Sequence, residues 1–177
     1  MANLPFKDRF SNNTPTLFIP KIWSGILKFY DEVDFVEHEN PFLSYYIYHI
    51  NAGKKSELVK SLFPPYQDIR NFIPKVTTIR EDKNDFWKPQ RLIHMQVFNR
   101  SKNMFRFMPI LRVKSIQKIE ILSSRQLILV DGKGLALPEM KKLMNNDGFD
   151  NATQFWGWFS KDFKGKIIHW TDLKYGI

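Results

Sequence analysis

Residues 76–81 alternate with a period of two that reads as a strand, and residues 73–136 as a whole read as sheet. Val76, Thr78 and Arg80 fall on one face of the first segment, opposite Thr77, Ile79 and Glu81. Residues 91–98 form a strand introduced by the turn residue Pro89, and residues 104–111 form another. In 113–122, Ile116, Ile119 and Ile121 are apolar among Lys114, Gln117, Lys118 and Glu120, and the shift in spacing near Ser115 marks a β-bulge. Residues 125–130 follow through Ser123 and Ser124, and Asp131-Gly-Lys-Gly134 is a tight-turn signal.

The flanks read differently. Residues 6–10 are a short basic and aromatic strand, and 11–15 are turn-rich. Residues 19–25 predict a short helix with Pro20 in its first turn and Gly25 at its end. Residues 26–72 predict an ordered insertion, because structureless loops of that length are rare in compact domains. It is acidic from Asp31 to Glu39 and aromatic over 42–50, where helix and strand are equally compatible with the pattern. Ser56 caps a helix over 56–63 that Pro64 and Pro65 stop. Helices are expected over 137–144 and 152–160, the second capped by Asn151 and burying Phe155, Trp156 and Phe159. Residues 166–170 close the fold as a strand. The expected class is α+β, in a single domain spanning 1–177.

A 177-residue chain with 15% aromatic residues can fill a core and is not disordered. No run approaches the ~20 apolar residues of a membrane span, so no membrane partner is expected. The first residues lack the layout of a signal peptide, and there is no cysteine for a disulfide or a thiolate zinc site. A cytoplasmic location, in a microbe or its virus, is the simplest expectation. His38, His49, His94 and His169 include no pair at ligand spacing on a recognisable helix, so neither a metal nor another cofactor is implied. The net charge is +9, and residues 75–125 hold twelve Lys/Arg against four acids. A positive concentration of that kind attracts polyanions. The plain alternative is a solvated surface.

Four short motifs in order carry a resemblance: Phe6-Lys-Asp-Arg-Phe10, Ile19-Pro-Lys-Ile-Trp-Ser-Gly25, Lys75-Val-Thr-Thr-Ile-Arg80 and Trp87-Lys-Pro89. Together they look like the start of ASCH domains of the PUA-like superfamily, closest in flavour to the phage and prophage branch. Asp147-Gly-Phe149 and Ile167-Ile-His-Trp-Thr171 are similar to that branch's ending. The resemblance covers residues 1–25 and 73–175. It implies a small, partly closed β-barrel of five or six strands with flanking helices, framing a cleft associated with RNA or nucleotides. One branch hydrolyses acetylated cytidine with a lysine, a threonine and a glutamate. Its lysine and threonine match Lys75 and Thr78. Asp147 stands nearest to the glutamate and is one methylene shorter. Relatives run directly from the glycine to the lysine, so residues 26–72 are a departure.

The expected function is binding of RNA or a modified nucleoside in a basic cleft. Lys75, Thr78 and Arg80 line it, and Arg91, Arg100 and Arg106 extend it. His94 faces it if its strand presents that side. Trp87, Phe98, Phe105 and Phe107 can stack bases, although burial in a core is the commoner fate of such rings. An amidohydrolase is the alternative, with Lys75, Thr78 and Asp147 catalytic. Thr78 or a water would attack, Asp147 would move protons, and Lys75 would stabilise charge. A third reading gives a protein partner to the aromatic insertion. Each residue also has a plain reading: Lys75 as a solvated strand start, Thr78 as a good strand former, Arg80 paired with Glu81, Asp82 or Asp147, and Asp147 as a helix terminus.

Overall fold

The structure is a computed structural model that describes residues 1–35, 62, 64 and 66–176. In chain order the elements are β1 (Ala2–Phe6), α1 (Phe18–Lys28), 3-10 turns at Tyr30–Glu32 and Tyr66–Asn71, β2 (Thr77–Arg80), β3 (Leu92–Val97), β4 (Phe105–Arg106), β5 (Leu111–Arg112) and β6 (Ser115–Leu122). A 3-10 turn at Ser123–Arg125 leads to β7 (Leu127–Val130), β8 (Lys133–Gly134), α2 (Leu137–Asn146), α3 (Ala152–Trp158) and β9 (Phe163–His169). The class is α+β.

Among the described residues the strands make two sheets and close into no barrel. The first joins β1 to β3 in parallel and adds β4 and β5 antiparallel to β3. The second runs β2-β9-β6-β7-β8, antiparallel throughout. The inner side of the first sheet is Ala2, Leu4, Phe6, Ile93, Met95 and Val97, all buried. In the second sheet, Thr77, His169 and Ser115 form one cross-strand row, and Ile79, Ile167 and Gln117 the next. That face receives the C-terminal elements: Tyr175 lies against His169, and Phe159 against Phe163. On the other face Arg80 reaches across to β1, donating to the Pro5 carbonyl at 2.6 Å.

Several sequence expectations move. The first strand is Ala2–Phe6, not 6–10. The stretch 104–111 is two fragments of two residues each, because Pro109 cannot donate to a ladder. β9 begins at Phe163, three residues ahead of the predicted strand. The tight turn holds, with φ 50° at Asp131 and 82° at Gly132, the left-handed pair that a two-residue hairpin requires. The expected barrel of five or six strands is instead these two sheets.

Gly25 does not end its helix. α1 runs through it to Lys28, with Phe18, Ile22, Trp23 and Ile26 in the core. The glycine serves a close approach: a Cβ there would lie 2.5 Å from the Lys75 carbonyl oxygen. The first residues of the predicted insertion therefore belong to α1. Ser24 donates to the Phe72 carbonyl at 2.8 Å, which brings the far end of the segment back to the helix. The aromatic stretch 42–50 and the helix expected over 56–63 lie outside the described residues.

Candidate functional site

Lys75 sits where the chain returns from that segment, two residues before β2. Its N–H donates to the Lys21 carbonyl at 2.8 Å, fixing the strand start against α1. Its side chain is 1% exposed and runs between Phe6 and Phe18, with Nζ 5.7 and 4.7 Å from the ring centres. At the end of that tunnel Nζ donates to Asp147 Oδ1 at 2.6 Å and to the Asp147 backbone carbonyl. Asp147 is the residue that ends α2, its own N–H still bonded to Leu143. The same Oδ1 accepts the Ile79 N–H at 3.2 Å, so one carboxylate oxygen serves the lysine and the free edge of β2. Asp147 is thus a helix terminus, as its plain reading has it, and it also meets Lys75.

Gly148 turns the chain away at φ 94°, where a Cβ would lie 2.9 Å from Lys75 Cδ and from the Phe18 ring. A second buried lysine holds this turn. Lys21, 2% exposed, donates to the Gly148 carbonyl at 2.8 Å and to Asp150 Oδ1 at 2.7 Å. The sequence reading missed Lys21. Its signal was a lone cation in the apolar run Phe18-Ile-Pro-Lys-Ile-Trp23.

Arg80 joins the group from β2. Its guanidinium lies 5.1 Å from the Phe6 ring centre and donates to Pro5 and Ile79 carbonyls. Its Nε is buried without a partner. It does not pair with Glu81 or Asp82: Lys83 holds the first and Lys166 the second. Thr78 shares its face of β2 with Arg80, is 1% exposed and lies opposite Ile168.

Burial governs the protonation equilibria here. It lowers the Lys75 pKa to about 8 against the pull of Asp147, with Arg80 and Lys21 adding repulsion. Burial also raises the Asp147 pKa, and the attraction of Lys75 and Arg80 only partly offsets it. Desolvation lowers the pKa of Arg80 as well, opposed by Asp147. An amine and a carboxyl drawn toward each other's range can exchange a proton. The arrangement is closed, however. None of the four described cavities, of about 240 to 510 Å³, is lined by Lys75, Thr78, Arg80 or Asp147.

The ligand-binding residues expected beyond this centre lie on or beside the first sheet. Arg91 leads into β3, His94 is within it, Arg100 is in the loop that follows, and Arg106 is in β4. Arg100 and Arg106 are exposed, and Arg91 and His94 are half-buried. Residues 86–119 contain eight Lys/Arg and no Asp or Glu, so the entire β3–β5 region is acid-free. Lys88, Arg112 and Lys114 find acids elsewhere in the chain. Among the described residues, the side chains of Arg91, Arg100, Lys102 and Lys118 have no carboxylate within 4 Å.

Two expected stacking rings are removed from surface roles. Trp87 is 7% exposed and Phe107 is fully buried, both in the core. Phe98 and Phe105 are half-buried against it. His169 is a packed strand residue, as its apolar neighbours suggested, but neither ring nitrogen has a partner. Among the described residues no three His, Asp or Glu converge as metal ligands, and no helix is long and apolar enough to cross a membrane. Comparison of the chain with protein-family models, curated proteins and solved structures found no match.

Proposed function

We propose that this chain is a PUA-like domain of the ASCH kind, and that the basic side of its first sheet binds RNA or a nucleotide-like ligand. The ordered motifs around Gly25, Lys75 and Trp87 support the family reading. The observation that carries the binding reading is the acid-free run 86–119, whose cations outnumber the acids that reach them. A phosphate backbone supplies the missing negative charge.

A titration with single-stranded RNA tests this. If the three uncompensated cations beside the first sheet, Arg91, Arg100 and Lys102, each neutralise one phosphate, log K falls by about 2.1 per tenfold rise in salt, or roughly twenty-fold between about 50 and about 200 mM. Affinity that is absent at low salt, or indifferent to salt, rejects the reading.

A second reading, hydrolysis of an acylated nucleoside such as acetylated cytidine, is supported by the contact of Lys75 with Asp147 beside Thr78. A lysine whose pKa burial brings to about 8 is suited to handle a proton near neutrality. Incubation with acetylated cytidine, comparing the parent with Lys75→Ala, tests it. Turnover that survives the substitution removes the site.

A further inference from the structure

The loop after β2 buries one aromatic residue and displays its neighbour. Trp87 enters the core, while Phe86 remains 45% exposed. The display is held rigidly. Asp82 accepts the Phe86 N–H at 2.7 Å on one carboxylate oxygen and the Trp87 N–H at 3.0 Å on the other. Its side chain is itself buried and paired with Lys166 at 2.9 Å, and Lys166 also donates to the Trp87 carbonyl at 2.9 Å. Trp87 then braces the Phe86 ring edge-on at 5.0 Å. Arg91, from the start of β3, places its guanidinium 4.1 Å from the Phe86 ring centre. Among the described residues nothing else engages that guanidinium: its Nε is buried without a partner, and no carboxylate or carbonyl takes its N–H groups.

An exposed ring on a braced loop, stacked with an unpaired planar cation, has the two elements that hold a nucleotide of an unpaired strand. Aromatic faces accept bases of any identity, and a guanidinium accepts phosphate oxygens in a fork. Phe86 opens the acid-free run 86–119, and the two carboxylates just before it, those of Asp82 and Asp85, are held by Lys166. We propose that Phe86 and Arg91 form a stacking subsite for one base of a single-stranded nucleic acid, the ring taking the base and the guanidinium its phosphate. This inference rests on the RNA reading above and narrows it to unpaired strands, because the bases of a duplex are not offered face-on.

The test uses the full chain with two probes, a single-stranded RNA oligonucleotide carrying one 2-aminopurine and the same sequence as a duplex. Phe86→Ala weakens single-strand binding by about 5- to 150-fold, the range for loss of one stacked base, and removes the quenching of 2-aminopurine. Phe86→Trp keeps both. Arg91→Lys keeps the charge, loses the planar stack and gives an intermediate loss. Duplex binding is unchanged by Phe86→Ala. Urea unfolding of each variant verifies that it is folded, and Phe86→Trp carries the test if the alanine variant is not. Single-strand binding that is equal in parent and Phe86→Ala overturns the subsite while leaving the basic sheet in place. A parent that binds neither probe overturns both.

Discussion

A methyl group added at Gly25 would stand 2.5 Å from the carbonyl oxygen of Lys75 and 2.9 Å from Val76 Cγ1. The helix and the strand start touch backbone to backbone, and Lys75 N–H bonds to Lys21 in the same contact. Gly25→Ala must push α1 and β2 apart, since a backbone oxygen has no rotamer to escape into. The expected loss is about 1–3 kcal/mol, read as a lower urea midpoint at unchanged m-value. A glycine inside a helix with open space around it would show the opposite, because alanine is the better helix former.

Removing one partner of the buried pair leaves the other charged and enclosed. Lys75→Met is expected to lower stability by about 3–5 kcal/mol. Adding Asp147→Asn to it restores part of that loss, and the double-mutant cycle gives the coupling. The pair also predicts a spectroscopic signature. The Lys75 amine is expected to titrate at about 8, well below the 10.5 of a solvated lysine, and NMR of its Cε or Nζ reads this directly. An amine still fully protonated at pH 10 contradicts the enclosure described here.

His169 sits between Thr77 and Ser115 in its cross-strand row, under the Tyr175 ring at 5.8 Å. Burial, reinforced by Lys174 and opposed by Asp131, lowers its pKa from 6.5 to about 4. Between those values the unfolded chain binds the proton and the folded chain does not. Its contribution to stability is complete above about pH 6.5 and is lost as pH falls toward 4, at up to ~1.4 kcal/mol per pH unit. Asp147, with its raised pKa, contributes in the opposite sense on acidification. Urea unfolding of the parent is therefore compared with His169→Phe, which lacks the titrating ring. The parent should lose more stability than the variant across this window.

Asp82 organises the loop that carries Phe86. Hydrogen bonds from Lys166, Trp87 N–H and Phe86 N–H outweigh the opposing effect of burial, the largest single influence, and hold its carboxyl below the usual carboxylate range. Asp82→Ala leaves those amides unsatisfied, while Lys166 keeps Asp85. The expected loss is about 2 kcal/mol. Amide exchange should accelerate at Phe86 and Trp87 in particular, and nucleic-acid affinity should fall with the order of the loop.

The sheet was legible where one side of a strand is buried and the other faces solvent, as with Ile119 and Ile121 against Lys118 and Glu120. The stretch 104–111 was not, because Phe107, Met108 and Leu111 are buried for packing reasons that do not follow strand alternation. Helix α1 was called too short because glycine was given its commonest role, whereas a tertiary contact had selected it. The family resemblance set Asp147 beside Lys75 only by local context, and the two are in contact. The closure of that contact was not foreseen, because the covering rings of Phe6 and Phe18 come from separate parts of the chain. Trp87 and Phe86 show the same limit: adjacent aromatics in a turn give no sign of which one faces inward.

The acid-free run has a consequence at a distance. Residues 86–119 carry eight of the 27 cations and none of the 18 acids, and Asp85, Asp34 and Asp172 come back to three of those eight, Lys88, Arg112 and Lys114, which leaves a local excess of positive charge. Its field extends over roughly 8 Å at physiological ionic strength. An approaching polyanion is turned toward the first sheet before any atoms touch, so salt should slow the encounter more than it hastens departure.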